Sequence, residues 1–209
     1  VINLKDKEDI AIIGMMASGK TTIGKKIANE LGYTFFEESF EGCPTLEAFY
    51  QDPANWALET EVWFLLEKAR QHKQIRDFAG STICDSPIQT CIGVFIPAMY
   101  EDGFLSLTEY NLLNNLYDEF ISQLTPKPDK FIYLNCTTET LMDRIKKRGR
   151  SFEQNCNESY LDSAIRNVNN RITGRSGLFN PVLIVDGNQS IDNVICDILD
   201  GMKSGKKRV

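Results

Sequence analysis

The chain has 209 residues, 42% hydrophobic and 25% charged, ordinary for one soluble globular domain and unlike collagen-like, disordered or disulfide-dense chains. Its 23 basic and 29 acidic residues give a net charge of −6, whereas sequence-independent affinity for nucleic acid needs a surplus of Lys and Arg, so no nucleic-acid partner is expected. No segment approaches the roughly 18 apolar residues that span a bilayer, and the opening residues lack the apolar core of a secretion signal, so no membrane partner and a cytoplasmic location are expected.

The first apolar run, Asp9–Gly14, reads as a buried strand. It leads into Gly14-Met-Met-Ala17-Ser18-Gly19-Lys20-Thr21, a G-x-x-x-x-G-K-[ST] pattern, and then into Ile23, Ile27 and Leu31, the stripe of a core-facing helix. Strand, glycine turn and helix in that order make a phosphate-binding loop. Gly14 and Gly19 let the backbone curl so that successive N–H groups, from Ala17 through Thr22, and the helix N-terminus face an anion. Lys20 is placed to reach the β and γ oxygens of a nucleotide such as ATP, and the Thr21 hydroxyl to help hold Mg²⁺.

Tyr33–Glu37 is the second strand, with Glu37 and Glu38 at its end. A long helical stretch, Leu46–Arg70, separates it from the third strand, Ser81–Asp85, and a second, Ser106–Gln123, is stopped by Pro126 and Pro128. Lys130–Asn135 and Val182–Asp186 complete five strands alternating with helices, the signature of an open, mostly parallel α/β sheet with helices on both faces. Ligands of such sheets gather outside the carboxyl ends of the strands, which places Glu37, Glu38 and Asp85 near the phosphate loop as candidate proton acceptor and metal ligand.

Between the last two strands, Arg144, Lys146, Lys147, Arg148 and Arg150 crowd the end of a helix closed by Gly149. Arg144 and Arg148 are four residues apart and share a helix face, where two guanidinium forks suit the spread charge of a transferring phosphoryl group. Leu161, Ile165, Val168 and Ile172 form another packing stripe. One domain, 1–203, is followed by a basic tail, 204–209. The six cysteines form no C-x-x-C pair and His72 is the single histidine, so a zinc site and a histidine triad are poor readings and buried reduced thiols are expected.

A phosphate loop does not by itself separate a kinase from an ATPase, though the lack of an N-K-x-D motif argues against a GTPase. The passage from Pro128 through Asn135 and on from Thr138 to Glu153 resembles the fourth strand and arginine-rich lid of the deoxyribonucleoside kinases, a family of P-loop kinase fold. Phe49 to Ala57 resembles that family's sugar-contacting segment. The resemblance implies ATP-dependent phosphorylation of a nucleoside 5′-hydroxyl with Mg²⁺, a lid at about 146–157, and a homodimer. It implies Glu38 as general base, Tyr50 and Glu153 on the 3′-hydroxyl, and Phe95 stacked on the base. Arg144, Arg148 and Arg150 are implied on the phosphates, and Asp85 at the metal.

Three positions depart from the family pattern. Ser39 follows Glu38 where proline is usual. Asp85-Ser86-Pro87 replaces Asp/Glu-Arg-Ser, so that either a lid arginine compensates or activity is weak. Glu61 replaces a base-reading glutamine; an ionised carboxylate only accepts, which favours a base edge with two adjacent donors, such as that of guanine. Two other readings stand beside this one. The phosphate loop also resembles that of shikimate kinase, a small-metabolite kinase, although its Gly-Gly-Gly acceptor motif is missing. The substitution at Ser86 suits a nucleotide-binding regulatory protein with little catalysis.

Overall fold

Successive residues of a strand point to opposite faces, so a strand apolar at every position needs a layer of helices on each side. The computed structural model, which describes residues 7–125, 127–173 and 177–204, meets that requirement. Its strands are β1 (Asp9–Ile13), β2 (Thr34–Phe36), β3 (Thr82–Asp85), β4 (Lys130–Asn135) and β5 (Val182–Asp186). All pair in parallel, in the order β2-β3-β1-β4-β5. The helices are α1 (Lys20–Leu31), α2 (Leu46–Gln51), α3 (Pro53–Asp77), α4 (Ile96–Glu101), α5 (Leu107–Leu116), α6 (Thr138–Arg148), α7 (Glu158–Thr173) and α8 (Ile191–Ser204).

Ile10 and Ile12 of β1, Ile83 of β3 and Ile132 and Leu134 of β4 face α1 and α8, where they meet Ile23, Ile27, Val194 and Ile198. The alternate residues Ala11, Ile13, Cys84, Phe131 and Tyr133 face a thicker layer containing α3, α4, α5 and α7. Each large side chain buried in this way contributes about 1.5–3 kcal/mol. Both expected stripes, Ile23-Ile27-Leu31 and Leu161-Ile165-Val168-Ile172, pack into these layers. Among the described residues no helix is long and apolar enough to cross a membrane.

The structure corrects the helical stretches. Leu46–Arg70 is two helices, because Asp52 precedes Pro53 and is forced out of the helical region, to φ −147° and ψ 76°; α3 then runs on to Asp77. The stretch expected over Ser106–Gln123 begins with a capping box, in which Ser106 and Glu109 each bond the other's backbone N–H. Beyond Leu116 it loosens into a π turn, Tyr117–Ile121, and a 3₁₀ turn, Ser122–Leu124. Pro126 and the tail beyond Ser204 lie outside the described residues. Cys84, Cys91, Cys136 and Cys156 are buried free thiols, but Cys43 is half-buried and Cys196 exposed.

Candidate active site

The carboxyl ends of β1, β2 and β3 open into a cavity of about 470 Å³. Its floor is the loop between β1 and α1. A Cβ on Gly14 would sit 2.7 Å from Ser18 Oγ and 3.2 Å from the Leu134 carbonyl oxygen, so only glycine lets the chain turn there. Gly19, at φ 97°, caps α1 in a left-handed conformation. No side chain caps α1 and no acidic residue occupies its first turn, which leaves the positive end of the helix available to an anion. Lys20 is buried and donates to the Met15 carbonyl oxygen at 3.1 Å. Among the described residues neither it nor Arg144 has a carboxylate within ion-pair distance.

Register brings Asp85 level with Ile12 at the end of β3. There the Thr21 hydroxyl donates to its Oδ2 at 2.5 Å, while Oδ1 is buried without a hydrogen-bond partner. Burial pushes the Asp85 carboxyl above its usual range, opposed by the charge of Lys20 and the bond from Thr21. A hydroxyl and a carboxylate with a spare oxygen fit Mg²⁺, which takes few protein oxygens and completes its shell with water and phosphate. Among the described residues no cluster of three or more His, Cys, Asp or Glu side chains could hold a metal without such help.

Of the paired carboxylates after β2, Glu37 makes a surface ion pair with Lys25 at 2.7 Å. Glu38 instead meets Lys68, a buried lysine of α3 that also donates to the Ser86 carbonyl oxygen at 2.5 Å. The buried face of α3 carries Ala57, Glu61, Leu65, Lys68, His72 and Ile75 at helical spacing, and three of those six are titratable. His72 Nε2 accepts the Ile88 backbone N–H at 3.2 Å. Lys68 and His72 together therefore hold the loop after β3 against α3.

A π turn, Cys91–Phe95, follows that loop, and Cys91 and Phe95 line the cavity. Glu61 lines the same cavity, and its Oε2 is buried without a hydrogen-bond partner. Burial pushes the Glu61 carboxyl up to about 8, against the charge of Lys68, so at neutral pH it is mostly protonated. A neutral Glu61 offers a donor and an acceptor, as glutamine would, where an ionised carboxylate only accepts.

The far wall comes from α2 and from the segment after α6. Tyr50 donates to Met16 Sδ at 3.4 Å, and its ring lies 5.6 Å from that of Phe152. Gly149 ends α6, and a 3₁₀ turn, Ser151–Asn155, turns Glu153 inward. Arg148 donates to Glu153 Oε2 at 2.5 Å and Arg150 to Oε1 at 3.3 Å, and the Arg150 guanidinium lies 4.4 Å from the centre of the Phe40 ring. Arg144 donates to the Ser18 carbonyl oxygen at 3.3 Å and to that of Gly187 at 2.8 Å, tying α6 to the phosphate loop. Lys146 and Lys147 are exposed, so the basic cluster divides, with its arginines at the cavity and its lysines at the surface.

Residues 10–205 match the deoxynucleoside kinase family. The chain belongs to that family. It is 27% identical to the deoxyadenosine/deoxycytidine kinase of Bacillus subtilis over 208 residues, 95% of each chain. It is 29% identical to the deoxyguanosine kinase of the same organism over 157 residues, 75% of this chain and 74% of that one. The deoxyadenosine kinase of M. mycoides, solved with dCMP and dCDP as products, superposes with a TM-score of 0.84 at 28% identity, covering 94% of this chain and 99% of that one. Like other members of the family, this deoxynucleoside kinase is a phosphotransferase acting on a nucleoside hydroxyl, and neither the small-metabolite nor the non-catalytic reading is needed.

Ala17, Gly19, Lys20, Thr21, Thr22, Glu38, Tyr50, Glu61, Asp85, Phe95, Arg144, Arg148, Arg150 and Glu153 all border the one cavity, while Gly14 and Ser18 shape the loop behind it. Lys68, Phe40 and Phe152, which also line it, were not singled out from sequence. The signal for Lys68 was there: a lysine on the packing face of a helix is rare unless it is paired.

Proposed function

We propose that this chain transfers the γ-phosphoryl group of ATP to the 5′-hydroxyl of a deoxyribonucleoside, with Glu38 as the base. The observation that carries the reading is the placement of a phosphate loop and a carboxylate beside one cavity whose remaining walls carry Phe95, Tyr50 and Glu61. The triphosphate lies on the amides of Ala17 to Thr22, with Lys20 and Arg144 as cations not neutralised by any described carboxylate. Thr21 and Asp85 hold Mg²⁺, which neutralises phosphate charge when bound. Glu38 takes the 5′-hydroxyl proton as that oxygen bonds the γ-phosphorus and the bond to the bridging oxygen of ADP breaks. Arg148 and Arg150, on the lid at 146–157, meet the spread charge of the transferring group.

Phe95 stacks on the base, Glu61 reads its edge, and Tyr50 with Glu153 takes the 3′-hydroxyl. Neutral Glu61 suits an edge with adjacent donor and acceptor, as in deoxyadenosine and deoxycytidine. A homodimer fits the apolar side chains Leu107, Leu112, Phe120 and Leu124, which are more than half exposed on and after α5.

The deciding experiment measures ATP consumption with each of the four natural deoxynucleosides, for wild type, Lys20→Met and Glu38→Gln. Turnover with at least one nucleoside is expected, and removing the base should lower it by about 10²–10⁴. Wild-type turnover retained in Glu38→Gln removes the base assignment, and retention in Lys20→Met removes the phosphate loop from the reaction.

A further inference from the structure

Lys68 is 4% exposed in the middle of α3, one turn after the fully buried Leu65. A buried ion pair is weak grounds for stability, since desolvating two charges offsets their attraction, so its retention on a packing face calls for another reason. Its two partners supply one. Nζ donates to Glu38 Oε1 at the end of β2 and to the backbone carbonyl oxygen of Ser86 at the end of β3, joining two loops that face the cavity.

Ser86, at φ 56°, is one of two described non-glycine residues in the left-handed region, so this carbonyl is held by an unusual backbone. It is also the position at which the chain departs from the family pattern by lacking an arginine. The Ser86 carbonyl oxygen accepts from Lys68, whereas Arg148 and Arg150 are bonded to Glu153 and Arg144 to the Ser18 and Gly187 carbonyl oxygens. We propose that Lys68 is the positioning residue of Glu38, fixing the carboxylate at the mouth of β3 and bringing from α3 the positive charge that position 86 lacks.

Burial alone would push the ammonium down, but the charge and hydrogen bond of Glu38 act upward together with Cys91 and Asp85 and raise it overall, so Lys68 stays cationic. Tying Oε1 leaves Oε2 outside the ion pair to accept the hydroxyl proton, and Lys68 keeps its own protons throughout. The proposal rests on the reading of Glu38 as the base.

Steady-state kinetics of Lys68→Met with ATP and the preferred deoxynucleoside test it. A misplaced base lowers the chemical step, so kcat is expected to fall about 100-fold while KM for both substrates stays within about threefold of wild type. Adding Ser86→Arg to Lys68→Met is expected to restore at least about tenfold of that loss. A folded Lys68→Met enzyme with kcat within about threefold of wild type, or a loss confined to KM, overturns the proposal. A folded double variant no more active than Lys68→Met overturns the claim that position 86 is where the charge is needed. If Lys68→Met does not accumulate as folded protein, Lys68→Gln, a neutral donor, is held to the same criteria. A wild type inactive on every deoxynucleoside sinks the kinase reading and the proposal together, whereas an active wild type matched by Lys68→Met sinks the proposal alone.

Discussion

The Thr21 hydroxyl lies 2.5 Å from Asp85 Oδ2, so the first turn of α1 and the end of β3 meet through two oxygens beside the phosphate loop. Neither residue contributes apolar packing. Asp85→Asn keeps the shape and the acceptor for Thr21 but removes the charge that suits Mg²⁺. Its melting temperature should therefore match or exceed that of wild type, while turnover falls by about 10²–10³. Thermal melts alongside ATP consumption over a range of Mg²⁺ concentrations check this. A variant that loses stability and activity in parallel would show Asp85 to be structural.

Glu61 gives the site a pH dependence of definite sign. Its carboxyl titrates near 4.5 when free and near 8 when buried in the fold, so between these values the folded chain binds a proton that the unfolded chain does not. Stability is full below about 4.5 and falls as pH rises through about 8. Relative to Glu61→Gln, wild type should lose melting temperature steadily from pH 5 to 8.5. KM for deoxyadenosine or deoxycytidine should rise above pH 8 as the carboxyl loses its donor, and the Gln variant should be flat in both measurements. Parallel profiles for the two proteins would show that Glu61 does not titrate in this range.

The contrast between Glu61 and the strands shows what the sequence carries plainly. β1 and β4 read correctly because parallel strands buried on both faces are continuous apolar runs, and the phosphate loop because its spacing is set by backbone geometry around glycine. The break at Asp52 is legible from Pro53, although the helical pattern on either side of it runs on. The order of the strands and the meeting of Lys68 with Glu38 are different in kind. Both depend on packing between segments far apart in the chain: the position of Lys68 on a packing face signals that it is paired, but not with which residue.

Gly14 and Gly19 separate two ways of damaging the phosphate loop. Gly14→Ala drives a methyl group into Ser18 Oγ and the Leu134 carbonyl oxygen, and the carbonyl belongs to the central sheet and cannot yield. Gly19→Ala meets only the flexible end of Ile23 and pays chiefly for its left-handed backbone, about 1–2 kcal/mol. Thermal stabilisation by ATP should thus be abolished in Gly14→Ala and reduced in Gly19→Ala. Equal responses would indicate that the close approach at Gly14 is not what shapes the loop.

Glu153 sits in the turn after α6, on the cavity that Tyr50 also lines. Its side chain is 5% exposed and holds Arg148 and Arg150, which are 31% and 36% exposed. Because those guanidinium groups reach solvent, Glu153→Ala should lower stability by only about 1 kcal/mol. Its larger effect should be on the acceptor. If Glu153 and Tyr50 bind the 3′-hydroxyl, wild type should prefer a deoxynucleoside over its 2′,3′-dideoxy analogue by about 10- to 100-fold, the penalty for leaving buried polar groups unpaired. Glu153→Ala should narrow that ratio by weakening use of the deoxynucleoside, with little change for the analogue. Measuring kcat/KM for the pair in both enzymes decides the matter, because a lid-closing defect alone would slow both acceptors equally and leave the ratio intact.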